Sequence, residues 1–466
     1  MKFISTRGQA PAIGFSEAVL AGLARDGGLY LPETFPQISP EAIASFAGKS
    51  FADVAVEVIH PFTGNDISRA ELHALATGAY KSFGHSAVTP LVQIAPDTFI
   101  LELFHGPTLA FKDVAMQLIA RLMDHILAKT NRRATIVGAT SGDTGGAAIE
   151  AFRGSKRVDV VILFPDGRVS DVQRRMMTTP AEPNVHSVAI DGTFDDCQAL
   201  VKAMFNDHAF RDRVQLSGVN SINWARIVAQ VTYYFVAASA LGAPQRAVSF
   251  AVPTGNFGDI FAGYVARRMG LPVKSLLIAS NENDILPRTL AGGIYEMKGV
   301  RATSSPSMDI QISSNFERYL FEAANRDAAQ IRAQMGSLAQ SGRFEIGPAL
   351  ANLRRDFTAA AATEAEVAAA IRSIQSSAGY VMDPHTACGY VALQKTRSAN
   401  SGPHVILATA HPAKFPEAMQ AITGERPALP SRLSRLMTDP ERFAVLKNDL
   451  GAVERHVEAA AERTGR

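Results

Sequence analysis

From about residue 88 the chain alternates two patterns. Short runs that are apolar almost throughout and rich in β-branched residues recur at 134–139, 158–164, 185–190, 248–252, 273–279 and 405–409. Each gives way within a few residues to Gly, Ser, Asn or Pro. Between them lie segments whose apolar positions repeat at helical spacing. Apolar runs without polar alternation predict strands covered on both faces, and intervening helices predict parallel connections. The pattern is that of an α/β fold whose working loops sit at the C-terminal ends of the strands.

Residues 1–85 read differently, as a mostly helical leader. Phe15, Val19, Leu20 and Leu23 mark one short helix, ended by Asp26-Gly27-Gly28. Residues 51–59 and 68–80 read as two more, the second opened by a capping box of Ser68 and Glu71. No strand hairpin is expected there. Further on, 345–375 is rich in alanine, notably 359–362 and 368–370, and reads as a helical insertion. The tail from about residue 427 reads as charged and helical. The apolar stretch 231–243 is interrupted by Thr232, Tyr233, Tyr234 and Ser239, which predicts a buried helix rather than a membrane span.

With 466 residues the chain exceeds what one core serves, so two or three domains are expected. Hydrophobic residues at 47% and charged residues at 19% argue against disorder. The formal net charge is +2 with no block of like charge, which argues against a nucleic-acid partner. Cys197 and Cys388, the two cysteines, could pair, but so little cysteine in a chain this size reads as a reduced, cytoplasmic protein, and no CxxC or His-rich cluster suggests a metal. The N-terminus lacks the apolar core of a signal peptide.

The densest chemistry is in residues 105–113, His-Gly-Pro-Thr-Leu-Ala-Phe-Lys-Asp. Gly106 and Pro107 break any preceding element, and Thr108 is positioned as an N-cap. Val114, Ala115, Leu118, Ile119, Leu122, Met123, Ile126 and Leu127 then trace one helical face. Lys112 is therefore placed on the first turn, beside Leu109, Ala110 and Phe111. The positive end of the helix dipole and apolar surroundings both disfavour its ammonium form. A neutral amine in such a place can hold a Schiff base. The plainer alternative is a surface lysine paired with Asp113.

Three loops follow predicted strands. Residues 141–146, Ser-Gly-Asp-Thr-Gly-Gly, would aim backbone N–H groups at an anion from a helix N-terminus, although a plain turn has the same form. Residues 253–259, Pro-Thr-Gly-Asn-Phe-Gly-Asp, have the same character. They lack the Gly-Lys-Ser/Thr of a nucleotide loop and the GxGxxG spacing, so one phosphate monoester suits them better than a pyrophosphate. At the last strand, Thr409 offers a hydroxyl, and His411 reads as a turn residue. Two polar stretches, 220–226 and 313–318, each pair amides and hydroxyls with an arginine. Either a phosphate grip or an interdomain ionic patch would use them.

Taken together, these stretches resemble the threonine synthase family of fold type II pyridoxal-phosphate enzymes. The resemblance rests on 5–8, 26–32, 105–113, 138–145, 219–226, 254–259, 313–318 and 408–415, and it spans nearly the whole chain. It implies a fold similar to the tryptophan synthase β subunit, with two open parallel-sheet lobes and a mostly helical N-terminal domain over 1–85. A large cofactor-binding lobe would comprise 86–129 and 243–466. A smaller substrate lobe would span 130–242 and close once the substrate carboxylate is bound.

Residue by residue, the resemblance implies that Lys112 bonds to pyridoxal phosphate. Gly255, Asn256, Phe257 and Gly258 would hold the cofactor phosphate, and Thr409 would meet the pyridine nitrogen. Ser141, Asp143 and Thr144 would line the side of the phenolic oxygen and receive the substrate carboxylate. Ser221, Asn223 and Arg226, with Asn315 and Arg318, would bind the phosphate of O-phospho-L-homoserine. Asp143 departs from many fold type II relatives, where asparagine is common, and a carboxylate there repels the phenolic oxygen unless one of them is protonated. The implied activity is loss of γ-phosphate followed by addition of water at the β carbon, giving threonine. A lyase releasing 2-oxobutyrate from the same ester would share these motifs. A monomer or homodimer with a small-molecule substrate, without nucleic acid or membrane, is expected.

Overall fold

The computed structural model describes residues 1–140, 142–398 and 402–463. Among them lie two sheets built from parallel strands. One runs in the order Thr358–Ala361, Val273–Ser280, Val248–Pro253, His404–Ala408, Thr98–Glu102, Leu91–Ala95, and only the last pairing is antiparallel. The other runs Ala444–Lys447, Val185–Asp191, Val158–Pro165, Ala134–Ala139, Leu216–Ser217, parallel throughout. All six apolar runs read from the sequence are strands, each shifted by no more than a residue or two. Val158–Pro165, Val248–Pro253 and His404–Ala408 are buried along their full length, as strands covered on both faces must be.

The leader carries the expected helices Phe51–Thr63 and Arg69–Tyr80, and Ser68 and Glu71 form the capping box. It also contains a short antiparallel pair, Phe3–Ser5 with Tyr30–Pro32, which the sequence reading did not anticipate. The helix Trp224–Ala240 is buried on nearly all sides. It packs against the leader helix Phe51–Thr63, against Lys112–Lys129 and against Gly258–Arg268. So although 224–240 falls in the segment expected to form the smaller lobe, it is embedded in the main core. No described helix is long and apolar enough to cross a membrane.

Two further expectations need correction. The alanines at 359–362 do not continue a helix. Thr363 and Glu366 cap the next helix, Glu364–Ala378, and the residues before that cap pair in parallel with Leu277 to Ser280 as an edge strand. Pairing with a buried strand overrides the high helix propensity of alanine. The tail is not confined to the first sheet either. Ala444–Lys447 pairs with Val185–Asp191, and Leu450–Arg463 packs on the strands of the second sheet, so 243–466 contributes to both.

Candidate active site

The loops after Ala134–Ala139, Val248–Pro253, Thr98–Glu102 and His404–Ala408 converge on one another through contacts among Lys112, Asp143, Gly255, Ser307, Thr409 and Lys414. Lys112 is the first residue of the helix Lys112–Lys129 and is buried. Its position is fixed from both sides. The Phe111 N–H donates to Thr409 O at 2.9 Å, and Ala110 bridges Ala410. Thr108 does not cap the helix as expected. The relation is reversed: Asp113, in the first turn, accepts from the Thr108 N–H at 2.7 Å and from Thr108 Oγ1 at 2.6 Å. This loop closes only over glycine, because a Cβ on Gly106 would lie 2.3 Å from Asp113 Cβ. Asp113 is thus committed to Thr108 and does not neutralise Lys112. Burial pushes its carboxyl up to about 6.

The partner of Lys112 is Asp143. Lys112 Nζ lies 3.3 Å from Asp143 Oδ2, with the ammonium over the Phe111 ring at 4.9 Å. Asp143 is buried, and three other groups donate to it. Lys414 Nζ is 2.6 Å from Oδ1, Gln173 Nε2 donates to Oδ1 at 3.0 Å, and Ser307 Oγ donates to Oδ2 at 3.1 Å. Burial raises the carboxyl pKa, but the two ammonium groups and the donors outweigh it and hold Asp143 well below the usual carboxylate range. Burial pulls the Lys112 ammonium down. Asp143 opposes that pull, while the Lys414 and Arg226 charges reinforce it.

Ser307 joins the anion loop to this cluster. Its carbonyl would lie 2.7 Å from a Cβ on Gly255, so the loop approaches to a distance that only glycine permits. Its N–H donates to His385 Nε2 at 3.2 Å, and His385 Nδ1 is 2.7 Å from Asp383 Oδ2, which places the histidine proton on Nδ1. Phe257 then opens the helix Gly258–Arg268 from a left-handed conformation, φ 61°. Gly255 O accepts from Ser313 Oγ at 2.6 Å and Asn256 O from the Asn315 N–H at 3.0 Å. The N–H groups of Gly255, Asn256, Phe257 and Gly258 donate to no described backbone carbonyl, leaving a row of free donors at a helix start.

The 141–146 loop is arranged differently from the sequence expectation. Ser141 lies outside the described residues. The N–H groups of Gly142 and Gly145 are consumed by Thr140 Oγ1 at 2.9 and 3.0 Å, so they are not available to an anion. Gly142 has φ +141°, and a Cβ there would strike Gln173. Thr144 sits half-buried beside Asp143 on the first turn of Asp143–Phe152. Thr409 is buried directly after His404–Ala408. His411 is a turn residue, as expected: Nδ1 accepts from the Ala413 N–H at 3.1 Å, and burial pulls the ring down to about 4.

The five residues expected to grip a substrate phosphate divide into two groups. Asn223, Asn315 and Arg318 are fully buried, and every side-chain nitrogen of the three is engaged by the fold. Asn223 caps the helix Trp224–Ala240 through Ala225 N and donates to Val19 O at 2.9 Å and Gly218 O at 3.2 Å. Asn315 donates to Ser221 O and Asn256 O, both at 3.1 Å. Arg318 donates to Tyr30 O at 2.9 Å, Ile222 O at 2.5 Å and Asn315 Oδ1, and lies over Trp224. These three residues tie the leader to the loops at 220–222 and 256. The sequence could not separate this use from a phosphate grip, since both call for an amide beside an arginine.

Ser221 and Arg226 are less fully engaged. Ser221 Oγ is 3.5 Å from Ser314 Oγ, which donates to Asn256 Oδ1 at 3.3 Å. Arg226 is buried with only Nη1 engaged, to Val219 O at 3.3 Å, and its Nε has no partner. Burial pulls its guanidinium down to about 10, countered by Tyr233, Asp113 and Asp259.

Sequence reasoning missed Lys414, Gln173 and Ser307. A lysine between Ala413 and Phe415, after a strand, carries the same signal as Lys112 and could have been found. Nothing local marks Gln173 or Ser307.

The pattern matches known families over most of its length. The profile described as "Threonine synthase N terminus" matches residues 2–80, "Pyridoxal-phosphate dependent enzyme" matches 84–356, and "Threonine synthase, C-terminal" matches 386–457. The chain is 49% identical to threonine synthase of Pseudomonas aeruginosa over 99% of both chains. It is 41% identical to that of Saccharomyces cerevisiae, over 97% of this chain and 95% of the other. Among solved structures it is similar to pyridoxal-phosphate-bound threonine synthase from Brucella melitensis, with a TM-score of 0.96 and 59% identity, covering 99% of this chain and 100% of that one. The yeast threonine synthase structure gives a TM-score of 0.93 at 40% identity, covering 99% of each chain. The chain belongs to the threonine synthase family.

Proposed function

We propose that Lys112, the free N–H row at 255–258 and Arg226 divide the chemistry of a pyridoxal-phosphate enzyme that turns O-phospho-L-homoserine and water into L-threonine and phosphate. The residues suit the cofactor. A row of unused donors at a helix start fits a single phosphate, and a lysine whose ammonium form is disfavoured by burial and by the neighbouring Lys414 and Arg226 charges fits covalent attachment. Thr409 stands at the end of the strand beside Lys112, where a hydroxyl can meet the ring nitrogen without forcing a proton onto it. Asp143 is stabilised as an anion by four donors, so the phenolic oxygen would face the whole cluster and not a bare carboxylate.

When bound, pyridoxal phosphate supplies an electron sink for charge left on the α carbon. The remaining chemistry falls to the chain's own side chains. Lys112, as a free amine, would be the base that takes the α proton. Its buried setting favours the neutral form that this step requires. Thr144, with Ser141, would orient the substrate carboxylate. Ser221 and Arg226 would hold the γ-phosphate, and the unpartnered Nε of Arg226 is a donor in need of such an anion. Asn223, Asn315 and Arg318 are assigned to the framework behind them.

The observation that carries this reading is the Lys112–Asp143 pair, facing a helix start whose N–H groups are unused. Purified protein given pyridoxal phosphate and O-phospho-L-homoserine should release threonine and phosphate in equal amounts. Phosphate with 2-oxobutyrate as the main product would instead assign the lyase reaction. We also place the protein in the cytoplasm, as a monomer or homodimer. Cys197 and Cys388 are free and buried in separate cores, which supports a reducing compartment.

A further inference from the structure

Two buried lysines share one carboxylate, and only one of them is needed to hold a cofactor. Lys414 is fully buried, and its Nζ makes the shorter contact, 2.6 Å to Asp143 Oδ1 against 3.3 Å from Lys112 to Oδ2. It also donates to Thr108 O at 2.8 Å, in the loop that Asp113 closes. Lys112 has no second oxygen among its described contacts; its other neighbour is the face of Phe111. One carboxylate cannot fully compensate two buried ammonium groups. The lysine with the poorer contacts is the one that gives up its proton.

We propose that Lys414 is the permanent counter-ion of Asp143, a positioning residue that frees Lys112 to exist as an unprotonated amine near neutral pH. This rests on the assignment of Lys112 as the attachment lysine. The other charges facing the pair are Asp113 on the helix of Lys112, Arg226 on Trp224–Ala240 and Asp259 on Gly258–Arg268. Glu150, on the helix of Asp143, faces Asp113. Among the described residues none of these hydrogen-bonds to either ammonium, so Asp143 is the anion for which the two lysines compete. Without the Lys414 charge, Asp143 would fall to Lys112 alone. Lys112 would then be held as an ammonium, through a stronger ion pair and the loss of a neighbouring positive charge.

The test is the rate at which cofactor-free protein bonds pyridoxal phosphate, followed by absorbance across pH, in the parent, Lys414→Gln and Lys414→Arg. Glutamine keeps a donor for Thr108 O and Asp143 and removes the charge, while arginine keeps the charge. In Lys414→Gln the midpoint of the pH–rate curve should move up by about one unit or more, so attachment near pH 7 slows about tenfold and recovers at alkaline pH. Lys414→Arg should stay close to the parent. If glutamine fails to fold, Lys414→Met, which also removes the charge and fills the buried volume with an apolar chain, carries the same test with the same expected upward shift. An unshifted midpoint, or an equal slowing at every pH, would overturn the role of Lys414. A parent protein that does not bond the cofactor at Lys112 would instead overturn the assignment on which this rests.

Discussion

Arg318 separates framework from substrate contact most sharply, and Arg318→Met tests which it is. Its guanidinium is fully buried and serves three acceptors: Tyr30 O in the leader, Ile222 O before the helix Trp224–Ala240, and Asn315 Oδ1. Each acceptor stranded by methionine costs about 1–3 kcal/mol. Against this, the charge is held without a directly paired carboxylate, and burial pulls it down to about 9, so removing it relieves part of its own desolvation cost. Packing over Trp224 is largely kept by the methionine chain. The net loss should be about 2–4 kcal/mol. With unfolding entropy near 2.1 cal/mol/K per residue, 466 residues unfolding together give about 1 kcal/mol per degree, hence a Tm lower by about 2–4 °C, and more if the lobes unfold separately. Calorimetry reads the Tm, and initial rates read KM for O-phospho-L-homoserine. A framework residue gives the Tm loss with KM within about threefold of the parent in the folded fraction. An unchanged Tm with KM raised tenfold or more would refute the reasoning and restore Arg318 as a phosphate ligand.

Arg226 should behave in the opposite way. Arg226→Met removes a buried cation with one backbone contact and an orphaned Nε, so Tm should hold or rise while KM for the phosphate ester rises at least about tenfold. Weaker cofactor binding with unchanged KM would contradict this. Asp259 gives a pH prediction. Burial pushes its carboxyl up to about 7, against hydrogen bonds from Tyr233 and Tyr234. The folded protein keeps a proton there that the unfolded chain has already released. Its contribution to stability is therefore largest below about pH 4 and falls as pH rises to about 7. The fall in Tm between about pH 5 and pH 7 should be smaller in Asp259→Asn than in the parent. Equal slopes would contradict it.

The features legible in the sequence were those fixed by local pattern. Strands buried on both faces appear as uninterrupted apolar runs, and the capping box at Ser68 is a four-residue signal. Lys112 stood out because a lysine among apolar residues at a helix start is costly unless it is used. What could not be read was set by partners distant in sequence. Asn223 and Arg318 depend on carbonyls at Val19 and Tyr30 in the leader, and the strand Ala444–Lys447 depends on Val185–Asp191. Thr108 was expected to cap its helix because short hydroxyl residues usually do. The Asp113 carboxylate, five residues on, captured both of its donors instead.

The most direct test of the site assignment is to load the protein with pyridoxal phosphate, reduce it with borohydride and map the modified lysine by peptide mass spectrometry. Two buried lysines lie against Asp143, so the answer is not trivial. A single pyridoxyl group on Lys112, absent from Lys112→Ala together with threonine formation, is the predicted result. Modification of Lys414, or threonine formation that survives in Lys112→Ala, would contradict it.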